Sequence, residues 1–185
     1  MYSMERANEP RIEGSAVEDL LSAWPNNSRA HAERFIRSYG MPHEATQTMV
    51  IWHYNGPWKR TIVHREGAPH NIPHQHIDLV EQTVDAFIPA DKNDEIIQFD
   101  GSIIIDRTRG EMTAFCESEH ANMLILNLAH DISIGKSTAS QARQYMDKFE
   151  GIIHANWPNP YRDSLQFTST ILANNQDTMI TQQPD

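Results

Sequence analysis

The apolar residues change their period twice along the chain, and this change constrains the fold more than any other feature of the sequence. Within residues 28–40 they recur at helical spacing, as expected for a helix with one buried face. These positions are Ala32, Phe35, Ile36 and Tyr39. From Thr46 the pattern becomes that of strands, and from Ser118 the helical spacing returns. The sequence therefore predicts helices at both ends and a sheet between them.

The strands are predicted to form hairpins. Residues 46–64 hold two strand-like runs around Asn55-Gly56, a strong signal for a tight turn, and residues 102–116 hold a second pair around Arg109-Gly110. One further strand is predicted over residues 81–88 and a short helix over 90–99. Because hairpin strands pair antiparallel, we predict an α+β fold: an antiparallel sheet built from two hairpins plus one further strand, with helices packed on one face.

Capping residues predict where the first helices begin and end. Ser15 and Glu18 have the spacing of a capping box. Ser28 is the predicted start of the second helix, and Gly40 is its predicted end.

A chain of 185 residues fits one domain, and a hydrophobic fraction of 39% suggests that part of its length lies outside the core. We predict a mobile leader over residues 1–14, a single α+β domain over 15–156 and a polar C-terminal tail over 157–185. Within that tail, residues 167–172 have the composition of an edge strand.

The charge and the cysteine content exclude several classes of protein. With 25 acidic and 15 basic residues the net charge is −10, which would repel a phosphate backbone, so no nucleic-acid partner is expected. The single cysteine, Cys116, allows no internal disulfide and favours a reducing compartment. Neither a secretory signal nor a run of 18 apolar residues is present in the sequence. These features predict a soluble cytoplasmic protein without a membrane partner.

A cluster of histidines is the strongest candidate for a functional site. Three histidines lie within seven positions and share parity, so an extended backbone would place their side chains on one face. Together with a carboxylate they would bind one divalent metal ion: Fe, Mn, Zn or Ni. The predicted ligands are His70, His74, His76 and Glu81. The alternative is a solvent-exposed loop rich in imidazole.

The sequence leaves the identity of the third ligand undetermined. Glu81 is an odd number of residues from His76, so it would join the histidines only through a bend or bulge. His70 is a second choice, and His53 or His64 on the first hairpin is a third.

The spacing of Gly67, His74-Gln75-His76 and Glu81 is similar to the first motif of the cupin family, over fifteen positions. In that family two histidines and a glutamate bind a divalent metal. The resemblance implies oxygenase or isomerase chemistry, with the metal as a Lewis acid or as an activator of water or oxygen. Asp78 or His64 would then be a proton shuttle.

A second candidate site combines aromatic and basic residues near the Asn55-Gly56 turn. Its predicted ligand-binding residues are Trp52, Tyr54, Trp58, Lys59 and Arg60. They would suit an acidic small ligand or a protein partner. The alternative, which we favour, is ordinary cross-strand packing that seals the sheet onto the helices.

Cys116 with His120 is a third candidate, as a thiolate nucleophile and its base. Glu117 and Glu119 would oppose a thiolate there, so a buried structural cysteine is the favoured interpretation.

Two hypotheses for function follow. The first is a binding module for a small ligand or a protein partner, without catalysis of its own, in which the partner can be a second copy of the chain. The second is a metal-dependent enzyme that uses the histidine cluster. The binding module is preferred because it requires nothing that the sequence lacks.

Overall fold

The structure is a computed structural model that describes residues 8–150 and 159–169. Its helices are α1 (Gly14–Ser22), α2 (Asn26–Tyr39), α3 (Asn93–Phe99), α4 (Glu119–Ser133), α5 (Ala139–Glu150) and α6 (Pro160–Asp163). Its strands are β1 (Glu44–Ala45), β2 (Met49–Asn55), β3 (Trp58–His70), β4 (His76–Asp85), β5 (Ile104–Asp106) and β6 (Glu111–Cys116). Within the described ranges, no helix is long and apolar enough to cross a membrane.

The strands form one six-stranded sheet in the order β1-β2-β3-β4-β6-β5, and every neighbouring pair is antiparallel. This confirms the predicted α+β class and the antiparallel sheet built on two hairpins. The two-residue strand β1 adds to the predicted set. The packing of all helices on one face stays a prediction.

The turn of the first hairpin lies one residue later than predicted. Asn55 pairs with Trp58, so the turn residues are Gly56 and Pro57, and Gly56 has a φ of 74°. Glycine at the first central position suits a tight turn of positive φ, and the fixed φ of proline suits the second. Asn55 is the last residue of β2, and its side-chain amide donates to Thr61 Oγ1 at 3.1 Å.

The longest hairpin, β3–β4, was only partly predicted. Its second strand begins at His76, five residues before the predicted start. The histidine-rich stretch is therefore strand up to His70 and again from His76, with a short loop over residues 71–75 between them. The register of β3 against β4 shifts between Val63 and Ala68, which marks a bulge. Gly67 lies in this bulge, where an added Cβ would be 2.7 Å from the carbonyl oxygen of Asp78. Only glycine allows the two strands to approach this closely.

Two hydrophobic clusters form where the helices meet the sheet. One cluster joins α1 and α2 to β2 and β3, and its buried members include Val17, Phe35, Val50 and Val63. The other joins α3, α4 and α5 to β4 and β6, and its buried members include Val84, Ile96, Met112, Leu126 and Ala142.

The predicted N-caps of the first two helices, Ser15 and Ser28, lie two and three residues after the observed N-caps, Glu13 and Pro25. Glu13 is the N-cap of α1 without a side-chain cap, so the capping box of Ser15 does not form. Helix α2 begins at Asn26, directly after Pro25, and Ser28 lies inside it, donating to the Pro25 carbonyl at 3.1 Å. Proline disfavours the helical conformation in the residue before it, so α1 ends before Pro25 and α2 begins after it. Gly40 ends α2 with a φ of 78°, as predicted.

Part of the predicted tail packs on α4. The side-chain amide of Asn127 donates to the carbonyls of Tyr161 at 2.9 Å and Ser164 at 2.8 Å. Within the predicted edge strand, residues 167–169 are not strand, and residues 170–172 lie outside the described residues. In the predicted leader, Arg11 donates to the Met41 carbonyl at 2.6 Å, and residues 1–7 lie outside the described range.

Candidate metal centre

The end of the β3–β4 hairpin brings two histidines and an aspartate together. His70 is the last residue of β3 and pairs in register with His76, the first residue of β4. Asp78 lies two residues further along β4, so its side chain is on the same face as that of His76. The rings of His70 and His76 have their centroids 5.1 Å apart.

The ligand atoms of these residues are close enough to share one ion. One atom from each of His70, His76 and Asp78 lies within 4.8 Å of the others. His70 Nδ1 is 3.1 Å from Asp78 Oδ2, and His76 Nε2 is 2.9 Å from Asp78 Oδ1. Ligands on bonds of about 2.1 Å are separated by about 3.0 Å at right angles and about 3.4 Å in a tetrahedron. The distances from His70 Nδ1 and His76 Nε2 to the Asp78 carboxylate are both close to the value for ligands at right angles.

The hydrogen bond of His76 determines which ring nitrogen is available. Nδ1 lies 2.8 Å from the His74 carbonyl oxygen, and a carbonyl only accepts, so Nδ1 carries the hydrogen. In a neutral ring, Nε2 then presents a lone pair to Asp78 Oδ1. Two acceptors at this distance repel each other unless a proton or a cation lies between them. An imidazole oriented by a backbone carbonyl is also the usual arrangement of a metal-ligating histidine.

The close contacts of Asp78 lack the geometry of hydrogen bonds. Among the described residues, neither Asp78 Oδ1 nor His70 Nδ1 has a hydrogen-bond partner. The side chain of Asp78 is only 4% exposed, and burial raises the pKa of this carboxyl, although His70 and His76 oppose the rise. A divalent cation would satisfy these buried atoms together.

Asp100 lies next to His70, beside the group formed by His70, His76 and Asp78. Its side chain is fully buried, and Oδ1 accepts from the Ser102 N–H at 2.8 Å and lies 3.8 Å from His70 Nε2. Oδ2 has no hydrogen-bond partner among the described residues. Asp100 also raises the pKa of Asp78, since a second carboxylate nearby disfavours the charged form. The centre thus places two carboxyl groups beside two imidazoles in a buried site.

The other predicted ligands do not join this group of ligand atoms. His74 is exposed, and its ring centroid is 5.2 Å from that of His76, but it is the His74 carbonyl that holds the His76 ring, and the ring nitrogens of His74 are not part of the group. Glu81 is on the opposite face of β4, where its carboxylate is 3.2 Å from His64 Nε2. His53 is paired with Glu44 at 2.6 Å. The structure therefore brings together His70 and His76 from the predicted set, but not Glu81.

Two acidic residues of this centre were missed as ligands by the sequence analysis. Asp78 shares the parity of His76, and this His-x-Asp spacing was the signal that could have identified it. Asp100 follows α3, 22 residues after Asp78, and no local pattern connects it to the histidines.

Cys116 is buried at the end of β6, as the favoured interpretation predicted. Its sulfur lies 3.4 Å from His76 Nε2, and burial raises the pKa of the thiol. His120 is exposed on the first turn of α4. This environment favours the thiol over a thiolate nucleophile.

The aromatic and basic residues of the first hairpin are largely occupied in packing and ion pairs. Trp52 and Trp58 are 0% and 1% exposed, and their indole N–H groups donate to the Gly40 carbonyl and to Glu119. Lys59 contacts Asp85 at 2.6 Å and Glu111 at 3.0 Å. Arg60 lies 3.4 Å from Glu111. This arrangement resembles the cross-strand packing that the sequence analysis favoured.

A cavity of about 80 Å³ adjoins the metal centre. His76 and Cys116 form part of its lining, and much of the rest is apolar. Its lining includes His76, Cys116, Leu124, Ile125, Met146 and Arg162.

No family model, curated protein or solved structure matches this chain. The likeness to the cupin motif therefore remains confined to the residues that carry it.

Proposed function

We propose that the protein is a metal-dependent enzyme that binds one divalent transition-metal ion through His70, His76 and Asp78. The observation that supports this most directly is the contact at 2.9 Å between His76 Nε2 and Asp78 Oδ1, two atoms that are both acceptors in a neutral ring and an ionised carboxylate. A cation between them removes the repulsion and satisfies the buried carboxylate at the same time.

The composition of the ligand set favours catalysis over a structural role. Structural zinc sites are usually closed by four protein ligands, whereas catalytic sites keep a position open. Two imidazoles and one carboxylate leave at least one position open, and this set is typical of Fe, Mn, Zn or Ni centres. The cavity beside His76 supplies space for a substrate next to one of the three proposed ligands. A bound metal would supply Lewis-acid chemistry or activate water there.

A binding module without a metal is the alternative. In that case a proton rather than a metal ion would lie between His76 Nε2 and Asp78 Oδ1, and the cavity would hold a ligand without reaction. The two proposals differ in whether the centre retains a metal ion.

Metal titration of the purified chain distinguishes them. We expect the chelator-treated protein to bind one Zn²⁺, Mn²⁺, Fe²⁺ or Ni²⁺ per chain, measured by elemental analysis after desalting. His76→Ala and Asp78→Asn should each abolish this stoichiometry. His64→Gln is the matched control, since His64 lies on the neighbouring strand and pairs with Glu81 on the other face of the sheet. Absence of binding to the wild type, or full binding to both site variants, would overturn the proposal.

A further inference from the structure

The cavity beside the metal centre combines three kinds of lining. His76 places a proposed metal ligand on its wall, and Leu124, Ile125 and Met146 make part of the wall apolar. Arg162, which also lines a second cavity with Tyr39 and Glu119, adds a cationic residue to the lining. A ligand that fits all three would have an apolar body and an anionic group.

Within residues 8–150 and 159–169, the charge of Arg162 is not paired. Its side chain is half-buried and forms no hydrogen bond or ion pair with any other described residue, and only its backbone N–H is used, donating to the Asn159 carbonyl at 2.8 Å. Guanidinium groups bind carboxylates through two parallel hydrogen bonds, with a geometry that a lysine cannot reproduce. The other charged residue that lines the cavity is Glu117, which is also half-buried.

The backbone around Arg162 is fixed to α4. Asn127 donates to the carbonyl of Tyr161, immediately before Arg162. The Tyr161 hydroxyl donates to Asp131 at 2.6 Å. These contacts fix the backbone of Arg162 beside the cavity and leave its side chain available to a ligand.

The volume of the cavity limits the size of the ligand. An apolar cavity of about 150 Å³ is known to hold benzene, whereas this cavity measures about 80 Å³. The enclosed part of a ligand would therefore have roughly half as many heavy atoms, about three or four. A sugar or a nucleotide would be too large and too polar for this space.

We propose that the cavity binds a short-chain carboxylate, with its carboxylate paired to Arg162 and its apolar carbons against Leu124, Ile125 and Met146. We infer in addition that this carboxylate is the substrate and lies beside the bound metal. Only this addition rests on the proposed function. The carboxylate site itself depends on Arg162 and the cavity.

Calorimetric titration with butyrate tests the inference, with butyramide as a ligand of the same size and no charge. Both are titrated into the metal-free and the metal-loaded full chain. We expect butyrate to bind at least about tenfold more tightly than butyramide to either form. Arg162→Gln should abolish that preference, and Arg162→Lys should retain only part of it. Arg109→Gln is the control, because Arg109 lies in the turn before β6 and is 61% exposed.

The outcomes separate this inference from the proposed function. If the metal binds but butyrate is not preferred, or if its preference survives in Arg162→Gln, the carboxylate site is overturned and the metal centre stands. If no metal binds but the preference depends on Arg162, the carboxylate site stands and the metal-dependent enzyme is overturned. Leu124→Trp, which fills the cavity, should prevent butyrate binding in a protein whose unfolding temperature shows that it is folded. Binding that survives this substitution would place the ligand elsewhere and overturn the inference.

Discussion

His76 holds its Nδ1 hydrogen against the His74 carbonyl at 2.8 Å and presents its Nε2 to Asp78 at 2.9 Å. The backbone of one histidine thus orients the ring of the next toward a buried carboxylate. This relationship makes the tip of the β3–β4 hairpin a candidate metal centre rather than an imidazole-rich loop.

The ring of His74 is dispensable for the proposed metal site. Because His74 contributes its carbonyl, His74→Ala should change the affinity for Zn²⁺ by less than about tenfold, whereas His76→Ala should lower it by well over about a hundredfold. Competition with a chromophoric chelator measures both affinities. The reverse order of effects would place the ion on the His74 ring, as the sequence analysis predicted.

Asp100 should lower the stability of the metal-free protein and strengthen its binding of the metal. Asparagine keeps the size of the side chain and the oxygen that accepts from Ser102, but it carries no charge. We expect Asp100→Asn to raise the unfolding temperature of the metal-free protein, because one buried acidic group is removed. The same variant should bind the metal about tenfold more weakly. Equal shifts in both forms, measured by differential scanning fluorimetry, would exclude a role for Asp100 at the centre.

Gly67 is required where β3 approaches β4. Its added Cβ would meet the Asp78 carbonyl oxygen at 2.7 Å, so Gly67→Ala should destabilise the fold by about 1–3 kcal/mol and weaken metal binding by displacing β4. Gly101→Ala is the control, because a Cβ at Gly101 would meet no atom within 4 Å. Urea unfolding measures both variants. A tolerated Gly67→Ala would show that the bulge can shift without cost.

The stability of the fold should decrease at alkaline pH because of Tyr39. The Tyr39 hydroxyl donates to Glu119 at 2.6 Å, and burial, followed by this carboxylate, raises the pKa of the phenol. A raised pKa in the folded state means that stability is lost as pH rises through the pKa of the unfolded chain, about 10. Tyr39→Phe should therefore be less stable than the wild type at pH 8, by about 1 kcal/mol, and the difference should shrink above pH 10. A difference that is constant with pH, in urea unfolding at both pH values, would contradict this role.

The parts of this protein that could be predicted from sequence are those set by local pattern. The two hairpins and the period of α2 follow from turn residues and side-chain alternation, and the structure confirms the antiparallel sheet. The histidine-rich stretch was proposed as a metal site from sequence, and in the structure two of its histidines, His70 and His76, pair across the hairpin. Its strand character was missed because prolines and a short loop interrupt the pattern, although parity already opposed Glu81 as a ligand.

The remaining parts depend on contacts between distant segments. Asp100 reaches the centre only because the segment after α3 lies beside the end of β3, and nothing near Asp100 in the sequence indicates this. Arg162 lies in a stretch whose polar composition resembled a tail, yet hydrogen bonds from Asn127 fix its backbone to α4. Such placements follow from tertiary packing and carry no local signal.

X-ray absorption spectroscopy of the metal-loaded protein tests the central claim most directly. We predict one ion with two imidazole nitrogens and at least one carboxylate oxygen at about 2.0–2.2 Å, and loss of one imidazole from that shell in His70→Ala. A shell without imidazole, or one that is unchanged in both His70→Ala and His76→Ala, would contradict it.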